Sequence, residues 1–160
     1  MSDGGEQIET AIHRQVAAAR ARDNPRVVAR VESGWVVMGP TQFWRGYCLL
    51  LPDPVAPSLN DLSTDARRVF LSDMARLGDA VIAVCRPLRL NYAILGNKEP
   101  ALHAHVIPRY EHEQESLRTE SPWAYPGEVW TSPVFAFDTL RHAELVKELR
   151  RAMERPASRS

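Results

Sequence analysis

From Leu62 to Val84 the apolar residues Leu62, Ala66, Val69, Phe70, Met74, Leu77, Ala80, Val81 and Val84 recur at helical spacing, a run longer than five turns. Spacings of three and four place side chains on one stripe of an α-helix, so a helix over 61–86 is expected. Asn60 or Ser63 supplies cap chemistry at its start and Pro87 closes it. Everything before and after this helix is cut short by proline and glycine. Val27 to Val31 and Trp35 to Met38 are two β-rich runs separated by Ser33-Gly34, and Gly46 to Leu51 is an apolar run stopped by Pro52, Pro54 and Pro57. Short runs joined by tight turns form an antiparallel meander. After the helix come two more strand-like runs, Leu88 to Leu95 and Leu102 to Arg109. Ile8, Ile12, Val16 and Ala19 mark an amphipathic helix over 6–22, and a last helix covers Thr139 to Met153. Residues 111–137 show no clear period. This order predicts an α+β domain: an antiparallel β-sheet meander, one long helix packed on it, and N- and C-terminal helices, with the core at about 25–110 of a single 1–160 domain.

Charge excludes some functions. Twenty basic and twenty acidic residues give a net charge of zero and a pI near 7.0, so nothing marks a broad nucleic-acid surface. Lys98 and Lys147 are the lysines; the remaining basic residues are arginines. Cys48 and Cys85 sit far apart in apolar stretches, outside any CxxC pair, and are expected as free thiols. The polar, acidic start MSDGGEQIET does not read as a signal peptide, and no apolar run approaches the ~20 residues of a membrane span. A cytoplasmic protein is the expectation.

The chemistry concentrates in Asn91 to Tyr110, NYAILGNKEPALHAHVIPRY. His103 and His105 lie one residue apart in a short apolar run, and on a strand residues i and i+2 share a face. A turn of Gly96, Asn97, Lys98 and Pro100 precedes them and offers donors for an anion. The same pair is also a common metal-ligand pattern, for which Glu111, His112 and Glu113 are the nearest further ligands.

The stretch LGNKEPALHAHVIPRY resembles the signature of the histidine triad (HIT) superfamily of nucleotide hydrolases and transferases, in its bacterial dinucleoside polyphosphate hydrolase-like branch. The GYCLLLP strand, the long helix and the paired strands agree with this likeness, which spans about 30–110. The resemblance puts His103 at the nucleophile and His105 at the last triad histidine, with Ala101 replacing the first. It puts Asn97 where the family's turn offers a polar side chain near the phosphates. Near Gly39, where many relatives hold the ribose with an acidic or amide group, this chain has none. The likeness implies a homodimer acting on a nucleotide substrate and no resident cofactor or metal; a divalent cation can accompany the substrate.

An imidazole is a competent nucleophile near neutral pH. Attack on an α-phosphorus gives a nucleotidyl-histidine, and in the family the other ring nitrogen of the attacking histidine donates its N–H to a main-chain carbonyl. His105 can then donate toward a phosphate oxygen, with Asn97, Lys98 and the turn amides aimed at developing charge. Asn91 serves either the substrate or a neighbouring strand. Gln42, beside Phe43 and Trp44, is read first as structural and second as a nucleotide-binding candidate. Trp35, Trp44 and Tyr47 are read as base-pocket walls or as core, Arg109 as a surface ion-pair former, and His13, His112 and His142 as surface residues. The competing functions are a nucleotide-binding module without turnover and a metal-binding protein built on His103 and His105.

Overall fold

The computed structural model describes residues 8–155. Its centre is a five-stranded antiparallel sheet ordered β1-β2-β3-β5-β4. The strands are β1 Val27–Val31, β2 Gly34–Met38, β3 Cys48–Pro52, β4 Arg89–Ala93 and β5 Ala104–Arg109. Pairing of Val31 with Gly34 closes the β1–β2 hairpin at Glu32-Ser33, one residue earlier than the expected Ser33-Gly34. The fold is the α+β meander that the periodicity predicts.

Alternation along the strands sorts side chains onto two covered faces. Val36, Met38, Cys48, Leu50, Ala104 and Val106 belong to one core cluster, which Phe70, Leu77 and Val81 of α2 (Thr64–Cys85) share with Leu145, Leu149 and Met153 of α5 (Ala143–Glu154). Ser63 caps α2 by accepting from the Ala66 amide, and Arg86 ends it in a left-handed conformation at φ 49° just before Pro87. Val37, Leu49, Leu51 and Ile107 face the other way, into a second cluster containing Ile12 and Val16 of α1 (Ala11–Arg20) and Tyr125 and Val129 of the late segment.

Several boundaries are corrected. The first helix starts at Ala11, capped by Thr10, whose hydroxyl accepts from the Ile12 and His13 amides; Ile8 is exposed outside it, and residues 6–7 lie outside the described part. The last helix begins at Ala143, because Asp138 accepts from the Leu140 and Arg141 amides in a turn that precedes it. Residues 111–137 fold into short helices α3 (Glu115–Arg118) and α4 (Glu128–Thr131) with a 3-10 turn at Pro122–Ala124 between them. No helix of the described residues is long and apolar enough to cross a membrane.

Candidate active site

β5 carries His105, Ile107 and Arg109 toward the second cluster, and His103 sits immediately before the strand. The two imidazole centroids are 4.9 Å apart, with the ring planes inclined at 68°. His103 Nδ1 lies 2.8 Å from the main-chain carbonyl of Ala101. A carbonyl only accepts, so Nδ1 carries the proton and the neutral ring keeps its lone pair on Nε2. The chain geometry before β5 makes this contact possible: the Ala101 amide donates to Glu99 O and the Leu102 amide to Ala56 O, which fixes the turn into the strand. His103 is 8% exposed.

His105 has a different partner. Its Nδ1 is 2.8 Å from the Tyr47 hydroxyl, and the two rings lie nearly parallel with centroids 6.0 Å apart. Burial, with His103 beside it, lowers the His105 pKa to about 4, so this ring is neutral at physiological pH. Burial also pushes the Tyr47 phenol well up. Trp123 approaches His105 edge-to-face at 5.2 Å, is 42% exposed, and stacks on Trp130. A cleft of about 770 Å³ runs between β4 and the Ser121–Trp123 turn and is lined by Asn91, Ala93, Leu95, Arg109 and Trp123. Neither imidazole lines it, but two lining residues adjoin His105: Ala93, its cross-strand neighbour, and Trp123. The size of the cleft is in the range of small-molecule sites.

The other sequence candidates separate. Asn91 lines the cleft while its Oδ1 accepts from Arg109 Nη1 at 2.8 Å. Asn97 and Lys98 are exposed in the β4–β5 loop, where Gly96 takes φ +77°. Gln42 takes the structural role. Its Nε2 donates to the carbonyls of Gly39 and Tyr47 and its Oε1 accepts from the Gly46 amide, so the carboxamide staples its own loop. Arg109 is a correction: it is buried, paired with Glu113 at 3.0 Å, and donates to the Leu117 and Glu120 carbonyls. Trp44 and Tyr47 are fully buried, and Trp44 donates to Glu113.

Glu113, a further metal-ligand candidate in the sequence, has another role in the structure. Its carboxylate accepts from Arg109, the Tyr110 amide, Trp44 Nε1 and the Tyr125 hydroxyl. Burial alone would raise its pKa, but these donors outweigh it and hold the carboxyl below the usual range. Those bonds occupy the oxygens that a metal beside the histidines would need. Among the described residues, no three His, Cys, Asp or Glu side chains form a group fit to hold a metal.

The HIT domain family model matches residues 37–112, which include Tyr47, both histidines and Arg109. No curated protein matches the chain. Solved structures show the fold. A histidine triad protein from Bradyrhizobium japonicum is 22% identical with a TM-score of 0.63, covering 84% of this chain and 95% of its own. A histidine triad protein from Marinobacter aquaeolei is 20% identical with a TM-score of 0.66, covering 91% and 96%. A hypothetical histidine triad nucleotide-binding protein from Sulfolobus tokodaii is 14% identical with a TM-score of 0.66, covering 88% and 91%.

Proposed function

With the HIT fold and a HIT domain match over residues 37–112 as premise, we propose that this chain is a nucleotide hydrolase or nucleotidyl transferase acting at an α-phosphate. The substrates are dinucleoside polyphosphates or related nucleotides. The observation that carries the reading is the hydrogen bond from His103 Nδ1 to Ala101 O, because it leaves Nε2 free as a nucleophile. Nε2 attacks phosphorus, the P–O bond to the leaving group breaks with its electron pair going to that oxygen, and a nucleotidyl-histidine remains. Water then attacks the same phosphorus and returns the electron pair to Nε2. His105, held neutral, donates to a phosphate oxygen as charge builds, an interaction that contributes most in a water-poor site. The Asn97–Lys98 loop supplies further donors to the polyphosphate, and the cleft along β4 accommodates part of the nucleotide.

The missing first histidine does not remove this chemistry. The contact that orients His103 comes from the main chain at position 101, whatever side chain stands there. Turnover of a diadenosine polyphosphate is therefore expected from the wild type, with His103→Ala reducing nucleoside monophosphate release by at least a hundredfold, in the range of a lost covalent catalyst. Equal rates in the two proteins contradict the mechanism. Nucleotide binding by calorimetry with no product from either protein would favour the module without turnover.

A further inference from the structure

The Tyr47 hydroxyl is buried beneath the site, and among the described residues the one side-chain or main-chain acceptor within hydrogen-bond reach is His105 Nδ1, 2.8 Å away. A hydroxyl can donate or accept, so the distance alone leaves two arrangements. Burial separates them. A phenol that accepted from Nδ1–H would leave its own proton without a partner in the interior, which costs stability. Donation from the phenol satisfies both groups. We propose that Tyr47 is a positioning residue: its O–H donates to His105 Nδ1 and so keeps the ring proton on Nε2, making His105 a fixed N–H donor at the mouth of the site.

The consequence is a division of labour between two chemically identical side chains. A carbonyl partner puts the His103 proton on Nδ1 and leaves Nε2 bare. A phenol partner does the reverse at His105. The pair thus presents one lone pair and one N–H from neighbouring rings 4.9 Å apart. Because His105 stays neutral, it has one ring proton, and which nitrogen holds it decides whether the ring offers a donor at all.

The surroundings of Tyr47 are fitted to this ring. Position 39 is glycine, and a Cβ there would stand 2.3 Å from Tyr47 Cδ1. Gly39 therefore makes room for the phenol, and its amide also donates to the Tyr47 carbonyl. Gln42 holds that carbonyl from the other side.

The donation of His105 to phosphate rests on the nucleotide reading; the tautomer does not. Long-range proton–nitrogen correlation spectra of the nitrogen-labelled wild type read it directly. The expected result is a protonated Nε2 and bare Nδ1 for His105, with the opposite pattern for His103. A His105 ring protonated on Nδ1 overturns the proposal, with no variant required. Tyr47→Phe should give His105 mixed tautomers and reduce kcat about tenfold with KM little changed, a modest part of the cost of deleting a transition-state donor. In a His105→Gln background, whose carboxamide needs no phenol to stay a donor, the same change should cost nothing further. An unchanged His105 spectrum in Tyr47→Phe, or an equal loss in both backgrounds, also overturns it. Because the spectra decide the tautomer in a protein that turns nothing over, failure of the nucleotide reading is told apart from failure of this inference.

Discussion

At the scale of single residues, the main chain orients His103 while side chains control what surrounds it. The Ala101 carbonyl needs only the turn conformation before β5, so the His103 contact does not depend on the side chain at position 101. Glu113 is less replaceable. It accepts from four residues at once, and the Arg109 it faces is buried. Glu113→Gln should destabilise the protein by roughly 3 kcal/mol, the usual cost of leaving a buried charge without its partner. Acid should act through the same group. Its folded pKa lies below its unfolded value, so its stabilisation is present above the unfolded pKa and is lost as pH falls through the folded one. Chemical denaturation at pH 7 and near pH 4 measures both effects, and a variant that matches the wild type at both values would contradict this role. The histidine pair was legible because strand alternation is a strong pattern. The pattern places Arg109 at the surface because it gives a residue's polarity and says nothing of its partners, which here arrive from Asn91 and from residues 113–120.

At the scale of elements, pairing register decides what the sequence could not. Period two puts Tyr47, Leu49 and Leu51 on one face of their run, and His105 and Ile107 on one face of theirs. That Leu49 stands opposite His105, bringing Tyr47 within reach of the ring, is set by β3–β5 pairing across more than fifty intervening residues. The long helix was legible to within three residues because five turns of periodicity outweigh local noise. Residues 111–137 were not. Their short helices hold too few turns to show a period, and their order comes from contacts: Tyr125 on Glu113, Thr41 on the Val129 carbonyl, and the Gln42 amide on the Phe135 carbonyl. This segment brings Trp123 to His105, so a late part of the chain outside the matched family region completes the wall of the site.

At the scale of the whole molecule, β4 is an edge strand with Leu88 and Tyr92 exposed on or next to it, and the neighbouring α2 exposes Leu71 and Ile82. An open edge beside apolar side chains invites pairing with another chain. The expected outcome is a twofold dimer through α2 and β4 at micromolar concentration by light scattering, with Tyr92→Arg shifting it toward monomer. A wild-type monomer would contradict that assembly. The central claim, that the sheet holds His103 as a nucleophile with Nε2 bare, is tested most directly by trapping the covalent step. Wild-type protein mixed with a diadenosine polyphosphate and quenched rapidly at alkaline pH should carry one nucleoside monophosphate on the peptide containing His103, identified by tandem mass spectrometry. Under conditions where product forms, an adduct on another residue, or none from the earliest time points onward, would contradict it.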